Sequence, residues 1–347
     1  MSILSGGQTD FFGLDIGPSS LQVVQLKNTP TGRVLDHYGT VAIDGNVSMS
    51  DSKADWPKLA AVIDQLVKSS GISTKNVAVG IPSNKVFTTV IDMDKLSQGD
   101  LAQTIRYQAD SLIPTPLDVS KIDWAPLGPS PADPQKIEVL LSSVPNDYVE
   151  GRLDMLESIG LNSVAFEPNS FALVRALVPE STATTQMLLE VGNVSTDLVI
   201  VIAGVPRLTR SIPIGLSLII RAASTALGVE LPQAAQFVHK FGLGKDKLEG
   251  QVYNAIIGTV DNLMGEVDKS IKFFSSRYPN AKLERIIMTG GASTLPEFPL
   301  YTANRFGLNV EIGNAWGNVS FPQGTQNELL SVSYKFAVAC GLAQRNQ

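Results

Sequence analysis

Two stretches of this sequence repeat one pattern, and together they decide the fold. Residues 12–26 read FGLDIGPSSLQVVQL, and residues 188–201 read LLEVGNVSTDLVIV. When the two are aligned, three positions coincide at one and the same offset: Asp15 with Glu190, Gly17 with Gly192, and Ser20 with Ser195. Each copy combines an apolar strand, an acid, a tight polar turn and a second apolar strand. The repeat predicts two similar domains that hold a ligand in a cleft between them.

Composition excludes several classes of protein. The chain has 347 residues, of which 44% are hydrophobic and 17% charged, and its net charge of −6 argues against nucleic acid as the main ligand. It has no basic-then-apolar leader and no apolar run long enough to span a bilayer, so we expect a cytoplasmic protein without direct membrane insertion. Cys340 is the only cysteine, predicted to be a small buried helix residue. The two histidines lack partners at metal-ligand or hydrolase spacing.

The order of strand and helix patterns predicts an α/β protein in four parts. An alternating β-α-β-β-α segment looks inserted into the first domain, and a largely helical segment looks inserted into the second. The predicted parts are residues 1–84 completed by 166–183 and 331–347, the inserted module 85–165, residues 184–225 with 282–330, and the helical segment 226–281.

The two repeated turns carry groups that suit phosphate. Glycine lets the backbone approach an anion, and neighbouring amides and hydroxyls can donate to phosphate oxygens. The candidates are Gly17, Ser19 and Ser20 in the first turn and Gly192, Asn193, Ser195 and Thr196 in the second. Asp15 and Glu190 would hold a hydrated Mg²⁺ through water, because Mg²⁺ keeps several waters and takes few carboxylates. A single turn of this kind is usually an ordinary hairpin turn, so the prediction of phosphate binding depends on the duplication.

Three further elements are weaker when each is taken alone. Gly290, Gly291 and Ser293 follow a buried strand in IIMTGGAS, and they could accept a sugar or a base or form an ordinary strand-to-helix turn. Glu266 and Lys269 share one helix face and could contact a ribose or adenine, or simply pair with each other. Glu167 is predicted at a helix start, where it could face the metal and its water as a catalytic group or serve only the helix.

In this order, the five elements resemble the actin-like ATPase superfamily, which includes actin, heat-shock chaperones, sugar kinases and the division protein FtsA. Two segments make the chain look most like the PilM family of type IV pilus assembly: GIPSNKVF at residues 80–87 and IRYQA at residues 105–109, leading to Leu117. The resemblance implies a duplicated, ribonuclease H-like two-domain fold with an inserted small subdomain of the FtsA and PilM type. It also implies ATP and Mg²⁺ as cofactors.

The resemblance further implies a cytoplasmic adaptor that binds the N-terminal cytoplasmic tail of a PilN-like inner-membrane protein. Such a protein would be peripheral to the membrane through this partner, and it could also meet pilus motor or platform proteins or form homo-oligomers. The peptide groove is carried over only as a region, Ile81–Leu117. Its candidate residues are Ile81, Val86, Tyr107 and Pro114, of which the last two could equally be core of the module.

Three departures from the superfamily pattern point to ATP binding without efficient hydrolysis. Glu190 replaces the more usual aspartate, Pro18 removes an amide from the first turn, and Ser270 stands where chaperone relatives often carry an adenine-stacking arginine. A small-molecule kinase acting on a sugar or acid is the main alternative, but no further aspartate has a distinctive setting for a catalytic base. A filament-forming protein related to FtsA is the other.

Overall fold

The computed structural model describes residues 10–179 and 182–345, and they form two compact units. The first unit comprises the described parts of Met1–Pro82, Asp147–Leu177 and Asn314–Gln347. The second comprises the described parts of Ser83–Asn146 and Val178–Gly313. Each unit is built around one five-stranded sheet, and the second also carries a three-stranded sheet. No helix among the described residues is long and apolar enough to cross a membrane.

Strands and helices are numbered here in chain order. The strands are β1 Phe12–Ile16, β2 Ser20–Thr29, β3 Gly32–Ala42, β4 Asn76–Ile81, β5 Phe87–Asp94, β6 Ser120–Pro129, β7 Lys136–Pro145, β8 Asn162–Pro168, β9 Thr185–Val191, β10 Thr196–Ile202, β11 Val205–Ile212, β12 Leu283–Thr289 and β13 Asn309–Ile312. The helices are α1 Gly45–Ser48, α2 Trp56–Ser69, α3 Gln98–Leu112, α4 Asn146–Ser158, α5 Asn169–Leu177, α6 Leu216–Leu227, α7 Leu231–Phe241, α8 Gln251–Arg277, α9 Phe298–Phe306, α10 Gln326–Val332 and α11 Ala337–Ala343.

The two large sheets have the same topology. Their strand orders are β3-β2-β1-β4-β8 and β11-β10-β9-β12-β13, with an antiparallel meander followed by two parallel strands in each. The hairpin registers also match: Asp15 faces Gln22 across the first hairpin, and Glu190 faces Asp197 across the second. Both members of the second pair are displaced along the chain by the offset of the sequence repeat. The repeat is therefore a structural duplication, and the predicted fold class is confirmed.

The first sheet is packed on both faces. Helix α2 supplies Leu59, Ile63, Leu66 and Val67 at helical spacing to a core shared with α4. Helix α11 contacts β1 and α5, and glycines allow the close approach. A Cβ added at Gly13 would lie 2.2 Å from the Ala339 carbonyl oxygen, and one added at Gly341 would lie 1.9 Å from that of Ala172. Cys340, between these contacts, is fully buried, as predicted.

A late segment of the chain covers the edge of the first sheet. The Leu35 amide on β3 donates to the Ser320 carbonyl at 2.8 Å, and the Ser320 amide donates to the Arg33 carbonyl at 2.9 Å. Trp316 is buried beside this edge, and its indole N–H donates to the Leu329 carbonyl at 2.9 Å. An unpaired edge strand is a template for aggregation, and these contacts occupy the outer edge of β3. We call residues 314–335 the edge segment.

The predicted inserted module contains a small sheet and a helix. Strands β5, β7 and β6 form its antiparallel sheet, and α3 covers the sheet with Leu101, Ile105 and Ala109. The predicted module boundary at residue 165 stays a prediction. In the structure, Asp147–Leu177 belong to the first unit, and Met155 and Leu156 of α4 join its core. Strand β8, which was not predicted from the sequence, pairs with β4 in the first sheet.

The later helices of the chain belong to both units. The helical segment 226–281 shares one core with the second sheet, because residues of α7 and α8 such as Val238 and Val260 pack with Leu189 and Ile286. Near the end of the described residues, a 3₁₀ turn at Ser333–Lys335 separates α10 from α11. The other predicted boundaries between the parts stay predictions.

The module is attached to the rest of the second unit by a buried ion cluster, which we call the Glu138 cluster. Glu138 on β7 is 1% exposed, and its carboxylate accepts from Arg277 at 3.0 Å and from the Tyr278 hydroxyl at 2.7 Å. Arg207 on β11 lies 3.2 Å from its other oxygen, and Asp92 on β5 pairs with Arg277 at 3.2 Å. The cluster thus joins β5 and β7 of the module to β11 and the end of α8.

Candidate functional site

The first repeated turn connects β1 to β2. The Gly17 amide donates to the Ser20 carbonyl at 3.1 Å, and a Cβ at Gly17 would lie only 2.8 Å from that oxygen. The turn therefore needs glycine for its own closure. Asp15 is buried at the end of β1, whereas Ser19 is exposed. The Ser20 hydroxyl accepts from the Gln22 amide at 2.7 Å, so part of its bonding capacity is already used.

The second turn has the same closure and offers more amides. The Gly192 amide donates to the Ser195 carbonyl at 3.0 Å, and a Cβ at Gly192 would lie 3.0 Å from that oxygen. Among the described residues, the amides of Asn193, Val194 and Ser195 donate to no backbone carbonyl. Successive backbone amides of a turn can together bind an anion. Thr196 does not contribute its hydroxyl, because it is fully buried and donates to the Ile214 carbonyl at 2.7 Å.

Two further glycine-bearing turns pack against the second turn. At the start of α6, the Leu216 and Ser217 amides donate to the Gly192 and Asn193 carbonyls, both at 2.9 Å. Gly290, with φ +82°, lies over the Val191 backbone, where a Cβ would come within 2.6 Å of the Val191 oxygen. These contacts bring the predicted Gly290–Gly291 turn to the same end of the sheet as the second turn. The Ser293 hydroxyl donates to the Gly290 carbonyl at 2.7 Å and closes that turn.

A row of polar side chains crosses the second sheet beside these turns. Glu190 is flanked in register by Asp197 on β10 and Thr289 on β12, and residues in register share one face of a sheet. Asp197 is 9% exposed and accepts from the Ser211 hydroxyl at 2.7 Å. Burial raises the pKa of the Asp197 carboxyl, while its hydroxyl neighbours lower it.

Asp197 was not predicted from the sequence, although a signal was present. In a hairpin closed by the Gly192–Ser195 contact, residues 190 and 197 must face each other, so the second acid could have been found from the register alone. Among the described residues, no group of three or more His, Cys, Asp or Glu side chains is arranged to hold a metal ion. The predicted binding of Mg²⁺ by Asp15 and Glu190 through water stays a prediction.

Glu167 lies in a different setting from the one predicted. It belongs to strand β8 rather than to a helix start, and it is 4% exposed. Arg175 pairs with one carboxylate oxygen, and Arg345 pairs with the other at 3.0 Å. Arg175 also donates to the Gly341 carbonyl at 2.7 Å. These contacts tie β8, α5 and the residues around α11 together, which favours a structural role over the predicted catalytic one.

Glu266 and Lys269 also have partners of their own. The Glu266 carboxylate pairs with Lys269 at 2.6 Å and with Arg210 of β11 at 2.6 Å. Hydrogen bonds from these two cations hold the pKa of the Glu266 carboxyl below its ordinary value, with Lys269 having the larger effect and Arg210 the next largest. Arg210 also donates to the Ser270 hydroxyl at 3.0 Å, so these residues fix α8 to β11. This arrangement favours the ion-pair alternative that the sequence left open, with Arg210 as an additional member.

The residues predicted for a peptide groove differ in their exposure to solvent. Ile81 is 3% exposed and belongs to the interior of the first unit, so its side chain is not available to a peptide. Tyr107 is 85% exposed on α3, and Pro114 is exposed just after that helix. Val86 is half-buried at the start of the module. Of the two alternatives for Tyr107 and Pro114, the core position is thereby excluded.

Comparison with known structures supports the architecture. A PilM-PilN type IV pilus biogenesis complex contains a chain that matches with a TM-score of 0.82 at 24% identity, covering 96% of this chain and 97% of that one. The ethanolamine utilization protein EutJ from Carboxydothermus hydrogenoformans matches with a TM-score of 0.59 at 12% identity, over 96% and 89% of the two chains. An MreB protein of Spiroplasma citri bound to AMPPNP matches with a TM-score of 0.55 at 12% identity, over 96% and 95%.

These likenesses show an actin-like fold, which agrees with the duplicated sheets described above. A sequence family described as type IV pilus assembly protein PilM matches residues 13–347, nearly the whole chain. The chain therefore belongs to the PilM family of type IV pilus assembly proteins.

Proposed function

We propose that this protein is an ATP-binding adaptor of type IV pilus assembly that binds the cytoplasmic tail of a PilN-like membrane protein. The main support is the second turn, where three successive amides without a backbone acceptor lie beside two packed glycine turns, an arrangement that suits phosphate. The similar MreB protein carries AMPPNP, and a similar chain belongs to a PilM-PilN complex. Family membership supports the pilus role.

The residues of both turns fit a nucleotide with its cation, each in its own unit. In the second unit, Asn193, Val194 and Ser195 would donate amides to phosphate oxygens, while Gly290 and Gly291 supply an open backbone surface. Glu190 and Asp197 would orient the waters of a divalent cation, which when bound neutralises phosphate charge. In the first unit, Asp15 would orient the waters of the cation and Ser19 would donate to phosphate. This turn has fewer donors, because Pro18 has no amide hydrogen.

The adaptor role also accounts for the lack of a candidate catalytic base among the predicted residues. Glu167, the predicted catalytic residue, has each carboxylate oxygen paired with an arginine, so it is held for structure rather than for proton transfer. We therefore expect ATP to be bound and cleaved slowly or not at all. The module would provide the partner surface, since Tyr107 and Pro114 are exposed there with Leu112, which is 41% exposed.

A single-turnover assay tests the nucleotide part of the proposal. Trace labelled Mg-ATP is mixed with excess protein, and bound and cleaved nucleotide are read from the same samples. We expect binding that is lost in Asp15→Asn and Glu190→Gln but kept in Glu284→Gln, an exposed acid on β12 that serves as the charge-matched control. Absence of binding would refute the nucleotide part, and cleavage within seconds would indicate an enzyme and reopen the kinase alternative.

The partner part is tested separately. A synthetic peptide with the cytoplasmic N-terminal sequence of the PilN-like protein from the same genome is titrated into the full chain without nucleotide. We expect saturable binding that Tyr107→Ala weakens and Tyr334→Ala, on the 3₁₀ turn at Ser333–Lys335, leaves unchanged. Equal binding by both variants would remove Tyr107 from the proposed surface. No binding by the wild type would refute the partner assignment.

A further inference from the structure

The outermost strand of the inserted module has an open edge. The module sheet has the order β5-β7-β6, and among the described residues no strand pairs with the outer side of β6. Strand β6 is ten residues long, which gives this edge an unusual length for one without a cover. An exposed strand edge is a template on which another chain can add a strand. The outer side of β6 is therefore a candidate interaction surface.

Backbone groups of alternate residues face this edge. Ser120 lies opposite Pro145, which has no amide hydrogen, so the two residues cannot exchange both hydrogen bonds. The Trp124 amide donates to the Asp123 carboxylate at 2.8 Å, as expected for an amide that faces away from β7. Because the two kinds of pair alternate along antiparallel strands, the amide and carbonyl of Ile122 also face the open edge. The side chains of Ile122 and Trp124 pack in the module core with α3, so their neighbours in the strand face the other way.

The side chains on the face away from α3 form a pattern that is complementary to its own reverse. In chain order they are Val119, just before the strand, and then Lys121, Asp123 and Ala125, and all four residues are exposed. If a second copy of the strand runs antiparallel with Ile122 opposite Ile122, Lys121 of each copy faces Asp123 of the other. In the same arrangement Val119 faces Ala125. Opposite charges directly across an antiparallel pair stabilise it.

Charge and the end of the strand select this register. A shift of the second strand by two residues would place Lys121 opposite Lys121, or Asp123 opposite Asp123, and like charges in these positions are destabilising. A shift by one residue would bring the α3 side of one strand to the charged side of the other. Pro126 has no amide hydrogen, and a bulge follows between Pro126 and Gly128, so the strand can pair only up to that point. The pairing is thereby limited to residues 120–125.

We propose that two copies of this chain associate through β6, in an antiparallel pair related by a two-fold axis at Ile122. The contact is isologous, because Lys121 of each copy meets Asp123 of the other. It joins the two module sheets into one continuous sheet and gives the open backbone groups of β6 their partners. In the isolated chain Asp123 accepts from the Trp124 amide, and in the pair its carboxylate turns to the lysine of the second copy. The contact is short, so the dimer is weak and forms at high protein concentration. The inference does not depend on nucleotide or peptide binding.

Charge reversal in the full chain tests the proposed pairing. Lys121→Glu places two acids opposite each other in the pair, and Asp123→Lys places two lysines opposite each other. The double variant Lys121→Glu/Asp123→Lys restores opposite charges in the reversed order. Glu284→Lys is the control, because it makes the same change of charge as Asp123→Lys at an exposed site on β12, outside the module. Sedimentation velocity over a series from micromolar to millimolar protein measures self-association, and circular dichroism checks that each variant is folded.

We expect the wild type, the double variant and Glu284→Lys to self-associate equally, and each single variant of the strand to do so about tenfold more weakly. An equimolar mixture of Lys121→Glu and Asp123→Lys should regain the association, because each variant then faces the opposite charge in the other. A wild type that stays monomeric over the whole series would overturn the proposal. So would single variants that associate as the wild type does, or a double variant or a mixture that does not regain the association.

Discussion

Helix α11 touches its neighbours at glycine, and replacing one of these glycines should destabilise the first unit strongly. A Cβ at Gly341 would lie 1.9 Å from the Ala172 oxygen and 2.5 Å from its carbonyl carbon. Ordinary van der Waals contact begins at 3.4 Å, so α5 and α11 would have to move apart until the first of these distances nearly doubles. The helix cannot retreat freely, because Ala339 lies close against Gly13 of β1.

The expected cost follows from two opposing effects. Overpacking a well-packed core costs about 1–3 kcal/mol and sometimes more, and alanine returns up to about 1 kcal/mol of helix propensity. Because backbone blocks the shift of α11 on two sides, the overpacking cost lies at the upper end, and we expect Gly341→Ala to lower the free energy of unfolding of the first unit by about 2 kcal/mol. The same substitution at Gly258, an exposed position on α8 with no atom within 4 Å, should instead stabilise by about 0.5–1 kcal/mol.

The single cysteine gives a readout confined to the first unit. Cys340 is fully buried, so it should react with an aromatic disulfide reagent only when that unit opens, and its labelling across a urea series reports the opening equilibrium. Gly258→Ala, in the other unit, is followed by circular dichroism. If Gly341→Ala changes the labelling midpoint by no more than the error of repeated wild-type measurements, α11 does not approach α5 as closely as described.

Three other predictions follow from the same contacts. Pro18→Ala adds an amide hydrogen to the first turn. One new hydrogen bond to a charged phosphate contributes about 1.5 kcal/mol at the low end, and the added flexibility of the turn costs about 0.5 kcal/mol, so Mg-ATP should bind about fivefold more tightly. Unchanged affinity by calorimetry would show that this turn does not contact the phosphates. Glu138→Gln removes the carboxylate that Arg207 and Arg277 share and leaves Arg277 with Asp92 alone, which should destabilise the module by about 3 kcal/mol. We expect faster limited proteolysis within residues 87–145 than in the exposed-site control Asp123→Asn, and equal cleavage would contradict a stabilising role for the Glu138 cluster. Burial raises the pKa of Cys340 to about 12, so the thiol ionises less readily in the folded state than in the unfolded state. The resulting stability is fully present below the unfolded thiol pKa of about 8.5 and is lost as pH rises towards the folded value, so between pH 7 and 10 the wild type should lose about 2 kcal/mol more than Cys340→Ala. Urea titrations in which the two proteins lose the same stability over this pH range would refute the prediction.

The fold was largely predictable because its decisive signal is local. Each hairpin is an apolar strand, a glycine-closed turn and a second apolar strand, and the single offset between the two copies fixes both registers at once. Strand β8 was missed because Asn162–Pro168 is short and runs directly into α5, so its polar end resembled a helix start. Its identity is decided by pairing with β4, a contact such as Asn76 with Asn162 between positions far apart in the chain.

Site residues were predicted less evenly, for a related reason. Gly192 and Gly290 have backbone roles that follow from the strand-turn pattern, and both lie where the turns pack together. The partners of Glu167 and Glu266 could not be found from sequence, since Arg345 and Arg210 come from distant elements. A carboxylate in a suggestive motif is ambiguous until the cations that tertiary structure brings to it are known.

The edge segment has a consequence for how this protein is made. Residues that close the first sheet, Trp316 and Ser320 at the β3 edge and Gly341 against α5, are translated after every strand of both large sheets. A chain still attached to the ribosome can complete the second unit but holds β3 with an open edge until the edge segment emerges. Nascent chains stalled before residue 314 should therefore need a chaperone that covers strand edges, and chains stalled once the edge segment has left the ribosome should need it far less.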